Sequence, residues 1–116
     1  MAHGFVHVEI PSADFERTRR FYSELFEWKM DLVEEEDYML FDTGESVNGA
    51  FYHSQQHTGQ QGVVIYIRVE DIDGTLQRLP ELGGKIISNK APDKGSGSFA
   101  LICDPDNNVL GIWEKK

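Results

Sequence analysis

The chain has 116 residues, 40% of them hydrophobic and 27% charged, which suits one globular domain with its own core and excludes a disordered segment. Twenty acidic side chains against eleven basic ones give a net charge of −9, so the Lys/Arg cluster on which nucleic-acid binding rests is missing. Cys103 is the only cysteine, which rules out an intramolecular disulfide and fits a reducing compartment.

A strand is expected from Phe5, with no basic and apolar leader before it, and no apolar run approaches the length of a membrane span. The expectation is therefore a soluble, cytoplasmic protein with no membrane partner. In Phe5–Ile10 the residues alternate, with Val6, Val8 and Ile10 on one face and Phe5, His7 and Glu9 on the other. Pro11-Ser-Ala-Asp14 ends this strand and supplies a cap for a helix over Asp14–Phe26, whose Phe15, Thr18, Phe21, Tyr22, Leu25 and Phe26 recur at helical spacing. Trp28–Val33 and Tyr38–Asp42 read as strands joined by the acidic turn Glu34–Asp37, and Val47–Tyr52 as a fourth strand. His53–Gly62, rich in Gln, Gly and Ser, reads as a linker, so the i, i+4 pair His53 and His57 is assigned to solvent.

The order then repeats. Val63–Val69 is a β-branched strand, and Asp71 is expected to cap a helix that runs to Leu82, distorted near Pro80 and ended by Gly83-Gly84. Lys85–Ser88, Ser98–Cys103 and Val109–Trp113 follow as strands, the last two joined by the turn-forming Asp104-Pro-Asp-Asn-Asn108. Cys103 closes the apolar run from Phe99 and is expected to be a buried, inert thiol. The loop around Pro92–Ser98 suits either a mobile lid or an ordinary hairpin connection.

These halves are copies. Val6, Ile10, Asp14, Thr18 and Leu25 reappear 57 residues on as Val63, Ile67, Asp71, Thr75 and Leu82. Later the offset reads as 62, aligning Asp42 with Asp104, Val47 with Val109, Gly49 with Gly111 and Phe51 with Trp113. An internal repeat of this length defines the architecture before any other signal. The fold expected is α+β, two tandem βαβββ modules over about residues 4–53 and 63–116 with 54–62 between them, forming a curled mixed sheet around a cleft with the helices outside.

The string His7-Val-Glu-Ile-Pro-Ser-Ala-Asp14, followed by Phe21-Tyr22 and Leu25-Phe26, resembles the opening of the vicinal oxygen chelate superfamily of glyoxalases, bleomycin-resistance proteins and extradiol dioxygenases. Val69-Glu-Asp-Ile-Asp73, Leu82-Gly-Gly-Lys85, Asp104-Pro-Asp-Asn107 and Leu110-Gly-Ile-Trp-Glu114 carry the same resemblance through the second half. Metal-dependent members of that family place ligands on the first and fourth strand of each module. Carried onto this chain, the resemblance puts these positions at His7, Val64, Gly49 and Gly111, of which only His7 can ligate. It thus implies the family's fold, a homodimer and a small-molecule ligand, and no metal or other cofactor. The alternative is a metal-dependent lyase or dioxygenase completed by Glu114 or by a subunit partner. A third is a protein whose cleft serves association only.

Six residues are the candidate site. His7 is the candidate catalytic or ligand-contacting group, with Glu9 on the same strand face able to orient its imidazole, or it is a pocket histidine kept from a metal-binding ancestor. Glu9 and Arg68, with Tyr66 as the counterpart of Glu9, form either an ion pair across the module seam or a recognition site in which the guanidinium takes a carboxylate. Phe51 and Trp113, each two residues past a glycine, form either core or an aromatic floor for a flat ligand.

Overall fold

The computed structural model describes residues 5–55, 58–59, 63–93 and 97–116. His57, most of the linker and residues 94–96 of the Pro92–Ser98 loop lie outside them. Packing divides the chain into two compact units, residues 1–58 and 59–116. Each is a four-stranded mixed sheet with one α-helix, and the two topologies are the same. The α+β fold of tandem βαβββ modules is therefore observed.

Unit 1 runs β1 (His7–Ser12), α1 (Phe15–Phe26), β2 (Lys29–Val33), β3 (Tyr38–Asp42) and β4 (Asn48–His53), in sheet order β1-β4-β3-β2. β1 and β4 are parallel and the other pairs antiparallel. Asp14 starts α1 as expected, its Oδ1 accepting from Arg17 N at 3.2 Å. Thr18, Phe21, Tyr22 and Leu25 form the buried stripe of α1. They pack on Ile10, Met39, Phe41 and Phe51, and Trp28 stacks between Tyr22 and Phe41 with centroids at 4.9 and 4.5 Å. Ser12 and Thr18 are buried polar groups that satisfy each other across β1 and α1, with oxygens 2.6 Å apart. The acidic stretch Glu34–Glu36 is a single 3₁₀ turn ended by Asp37 in the left-handed conformation.

Unit 2 runs β5 (Ile65–Arg68), α2 (Ile72–Arg78), β6 (Lys85–Pro92), β7 (Ser98–Cys103) and β8 (Val109–Glu114), in order β5-β8-β7-β6. Pro80 converts the expected long helix into α2 plus a 3₁₀ turn over Pro80–Leu82, and Gly83 ends it at φ +89°. β6 is longer than expected and pairs with β7 through two register shifts, which accommodate its extra residues. Asp71 has the extended backbone of a cap, yet its side chain makes no capping bond. Glu114 performs that role from β8, its Oε1 accepting from Ile72 N at 2.7 Å. Asp104 is buried and ties the β7–β8 turn, its Oδ1 accepting from the backbone N–H groups of Asp106 and Asn108, both at 2.9 Å, and its Oδ2 from Asn108 Nδ2, also at 2.9 Å. Cys103 is buried as expected.

The register corrects one expectation. In unit 1 Glu9 pairs with Ala50, Ile10 with Phe51 and Pro11 with Tyr52. In unit 2 Tyr66 pairs with Gly111, Ile67 with Ile112 and Arg68 with Trp113. Glu9 and Tyr66 are 57 apart, so the spatial counterpart of Gly111 is Ala50, not Gly49, and that of Trp113 is Tyr52, not Phe51. A slip of one residue turns every side chain of a strand to the other face. Phe51 accordingly lies fully buried on the helix-covered face, 4.8 Å from the Tyr22 ring and 5.1 Å from that of Phe41.

Candidate functional site

Each sheet has one face covered by its helix and one open. In unit 1 the open face carries His7 and Glu9 from β1, Tyr38 and Leu40 from β3, and Ala50 and Tyr52 from β4. Alternation along β1 sends Ile10 and Ser12 inward and therefore His7 and Glu9 outward. Tyr38 reaches them from β3. Its hydroxyl donates to Glu9 Oε2 at 2.7 Å and lies 3.1 Å from His7 Nε2, while His7 Nε2 and Glu9 Oε2 are 3.4 Å apart. Ala50, fully buried, lies between the two strands that Tyr38 bridges, pairing with Glu9 on one side and Leu40 on the other. The bond to Glu9 raises the Tyr38 pKa above its ordinary 10.0, with burial and the charges of Glu9 and Glu36 adding to it. His7 and Glu9 were foreseen from sequence as a pair. Tyr38 was missed, because nothing in its local pattern separates it from an ordinary strand aromatic.

Beside His7 unit 1 has an open groove of about 510 Å³, within the size range of small-molecule sites. Val6 and Leu40 are its apolar side chains, His7, Lys29, Asp31, Asp42 and Asn48 its polar ones, and Met30, Phe41 and Gly49 complete the lining. Asn48 is rigid there, since its Oδ1 accepts from both the amide and the hydroxyl of Thr43, at 2.7 and 2.9 Å.

In unit 2 the open face is aromatic. Tyr66 is half exposed, and its ring lies over Gly111. A Cβ at Gly111 would sit 2.8 Å from Tyr66 Cγ and closer still to Cδ2 and Cε2, so the absence of a side chain there is what lets the ring lie down. Phe99 meets Tyr66 edge-on at 6.4 Å and pairs across the ladder with Trp113. Trp113 is held by its indole N–H, which donates to Asp93 Oδ2 at 3.1 Å, and the Arg68 guanidinium carbon lies 5.8 Å from its ring centroid. Tyr66, Arg68 and Trp113 thus share one face, as sequence parity required. Phe99 joins them and was missed, having been counted only as part of an apolar run.

Glu9 is engaged within unit 1 and Arg68 lies over Trp113. Glu114 points to the helix-covered face, where Ile72 N and Lys90 Nζ, the latter at 3.4 Å, take its two oxygens. His53 is bound at the end of β4, with Nε2 at 3.1 Å from the Ala13 carbonyl and Nδ1 at 3.3 Å from Asp37. Among the described residues no three His, Cys, Asp or Glu side chains gather as a metal centre would require, and no helix is long and apolar enough to cross a membrane.

The comparisons agree with this topology. A family model described as Glyoxalase/Bleomycin resistance protein/Dioxygenase superfamily matches residues 4–112. The uncharacterized protein YraH of Bacillus subtilis (strain 168) is 29% identical over 87% of this chain and 90% of its own length. The anthracycline biosynthesis protein DnrV of Streptomyces peucetius is 24% identical over 92% of this chain, which spans only 45% of that protein. Among solved structures, the fosfomycin resistance protein FosX from Listeria monocytogenes superposes with a TM-score of 0.79 at 15% identity, covering 100% of this chain and 96% of its own. A glyoxalase-related enzyme from Fulvimarina pelagi gives the same TM-score at 17% identity, over 98% and 89% of the two chains. At these identities the structural likeness speaks for the fold, and the family model carries the assignment: the chain belongs to the glyoxalase/bleomycin resistance protein/dioxygenase superfamily.

Proposed function

We propose that this protein binds a flat, small organic molecule on the open faces of its sheets and does so without a metal ion. The observation that carries the reading is the ring of Tyr66 lying over Gly111. At the very position where the family resemblance calls for a ligating side chain, this chain presents an aromatic surface continued by Phe99 and Trp113. Such a surface attracts a planar ligand by stacking, and Arg68 beside it favours one that carries an acidic group. The donor set does not fit a divalent cation. Of the four family positions, with Ala50 now replacing Gly49, only His7 has a side chain able to ligate, and one imidazole grips such an ion weakly. A relative that is an anthracycline biosynthesis protein is in keeping with a flat ligand. The activity that follows is sequestration of the ligand, or its turnover by a metal-independent route at His7, in a cytoplasmic homodimer.

A thermal-shift and fluorescence screen tests this. Planar aromatic acids such as 2-naphthoic acid are expected to raise the melting temperature of chelator-treated protein and to quench Trp113, since binding to the native state stabilises it by mass action. Arg68→Gln and Trp113→Ala should each remove the effect. A response that appears only after a divalent metal is restored would overturn the reading in favour of a metal-dependent lyase or dioxygenase.

A further inference from the structure

The hydrogen bonds around Tyr38 fix where its one proton resides, and with it the protonation pattern of His7. An ionised carboxylate only accepts, and a phenol has a single proton to donate. The shorter contact, 2.7 Å from Tyr38 Oη to Glu9 Oε2, takes that proton. The Tyr38 oxygen therefore faces His7 Nε2 with a lone pair, at 3.1 Å. The same nitrogen is 3.4 Å from Glu9 Oε2, a second acceptor. Two acceptors around one ring nitrogen require that it carry the hydrogen.

We infer that Tyr38 is a positioning residue that holds neutral His7 as its Nε2–H tautomer and leaves Nδ1 as a proton-accepting nitrogen, so that the groove beside His7 selects ligands bearing a hydroxyl. Glu9 and Tyr38 hold one side of the imidazole, and no described residue bonds to Nδ1. His7 also lines the groove of unit 1, where the exposed Val6 and Leu40 offer apolar surface that suits the hydrocarbon part of such a molecule. Asp31 and Asp42, on the same groove, outnumber Lys29 and leave its charge negative, which disfavours a ligand that presents a carboxylate there. A neutral phenol or enol hydroxyl meets these conditions. Only this ligand chemistry rests on the function proposed above; the tautomer does not.

Two measurements on the whole chain separate the parts. Long-range proton–nitrogen NMR of the imidazoles, with the His7 signals assigned by their loss in His7→Gln, is expected to show the Nε2–H tautomer almost alone in the ligand-free protein and a mixture with Nδ1–H once both acceptors are removed, in the double variant Glu9→Ala/Tyr38→Phe. A dominant Nδ1–H form in the unaltered protein, or an unchanged tautomer ratio in Glu9→Ala/Tyr38→Phe, would overturn the assignment. Calorimetric titration with 2-naphthol and with 2-methoxynaphthalene then tests the selection. The hydroxyl compound should bind about three- to tenfold tighter, the usual value of one hydrogen bond, and Glu9→Ala/Tyr38→Phe should shrink the difference while leaving the ether's affinity in place. Equal affinities in the unaltered protein would refute the selection. Failure of both compounds to bind would refute it too, and would count against the proposed function, while the NMR result would still decide the role of Tyr38.

Discussion

Gly49 and Gly111 look interchangeable in the sequence, each near the start of a fourth strand, and the structure predicts opposite outcomes for giving each a methyl group. At Gly49 an added Cβ falls on the carbonyl oxygen of Val8, 2.7 Å from its carbonyl carbon and 2.9 Å from Phe41 Cζ. Val8 is backbone of the neighbouring parallel strand, so Gly49→Ala can be accommodated only by parting β1 from β4. Overpacking of this kind costs about 1–3 kcal/mol, and the involvement of main chain places it at the upper end. For a domain of this size that is a fall in Tm of roughly 10 °C, from a total stability of only about 5–15 kcal/mol. At Gly111 the obstacle is the Tyr66 ring, half exposed and free to swing aside. Gly111→Ala should therefore cost under about 1 kcal/mol, since an exposed side chain can change rotamer cheaply. Its effect belongs to binding: with Tyr66 lifted off β8, the affinity for 2-naphthoic acid should drop about tenfold, as for the loss of one aromatic contact. Differential scanning calorimetry and a fluorescence titration of the two variants provide the test. Equal melting temperatures, or a Gly111→Ala protein that binds as well as the unaltered one, would refute the assignment of the two glycines to different faces.

Other consequences are independent of any ligand. Asp104→Ala should destabilise the protein by about 2–3 kcal/mol in urea titration, because three donors from Asp106 and Asn108 lose their acceptor in a buried turn. Glu114→Ala, which uncaps Ile72 N, should cost about 1 kcal/mol by the same assay, whereas Asp71→Ala, whose side chain does not cap, should cost less. Burial, and then the charge of Asp104, raise the Cys103 pKa above the ordinary 9.0, so a disulfide reagent should modify the native thiol slowly at pH 8 and rapidly after unfolding. The raised pKa of Tyr38 stabilises the fold fully below pH 10, and that contribution disappears as pH climbs through the folded-state value. An ultraviolet titration should show Tyr38, identified by its loss in Tyr38→Phe, ionising late and moving back toward pH 10 in Glu9→Gln.

The duplication was legible because it is written in core and turn residues, where both copies meet the same demands: a strand ending before Asp14 and Asp71, and a helical segment that buries Leu25 and Leu82 near its end. The final strand was misaligned for a physical reason. Gly49 and Gly111 match as letters, but their glycines answer different needs, close approach of the Val8 backbone in one and a ring lying flat in the other. Aligning them shifted β4 by one residue, which moved Phe51 from core to site and hid Tyr52. His7, Glu9, Tyr66, Arg68 and Trp113 came out on the faces expected, since alternation along one strand suffices to place them. Tyr38 and Phe99 did not, because each acts through a neighbour on another strand, and pairing between strands is not encoded in either strand alone.

Affinity for 2-naphthoic acid, followed by Trp113 fluorescence in protein stripped with chelator and then again after stoichiometric nickel, zinc or manganese is added, bears most directly on the account. The same dissociation constant with and without metal, together with loss of binding in Arg68→Gln, is the predicted result. Binding seen solely in the metal-loaded protein, with an ion retained at one per chain, would contradict it.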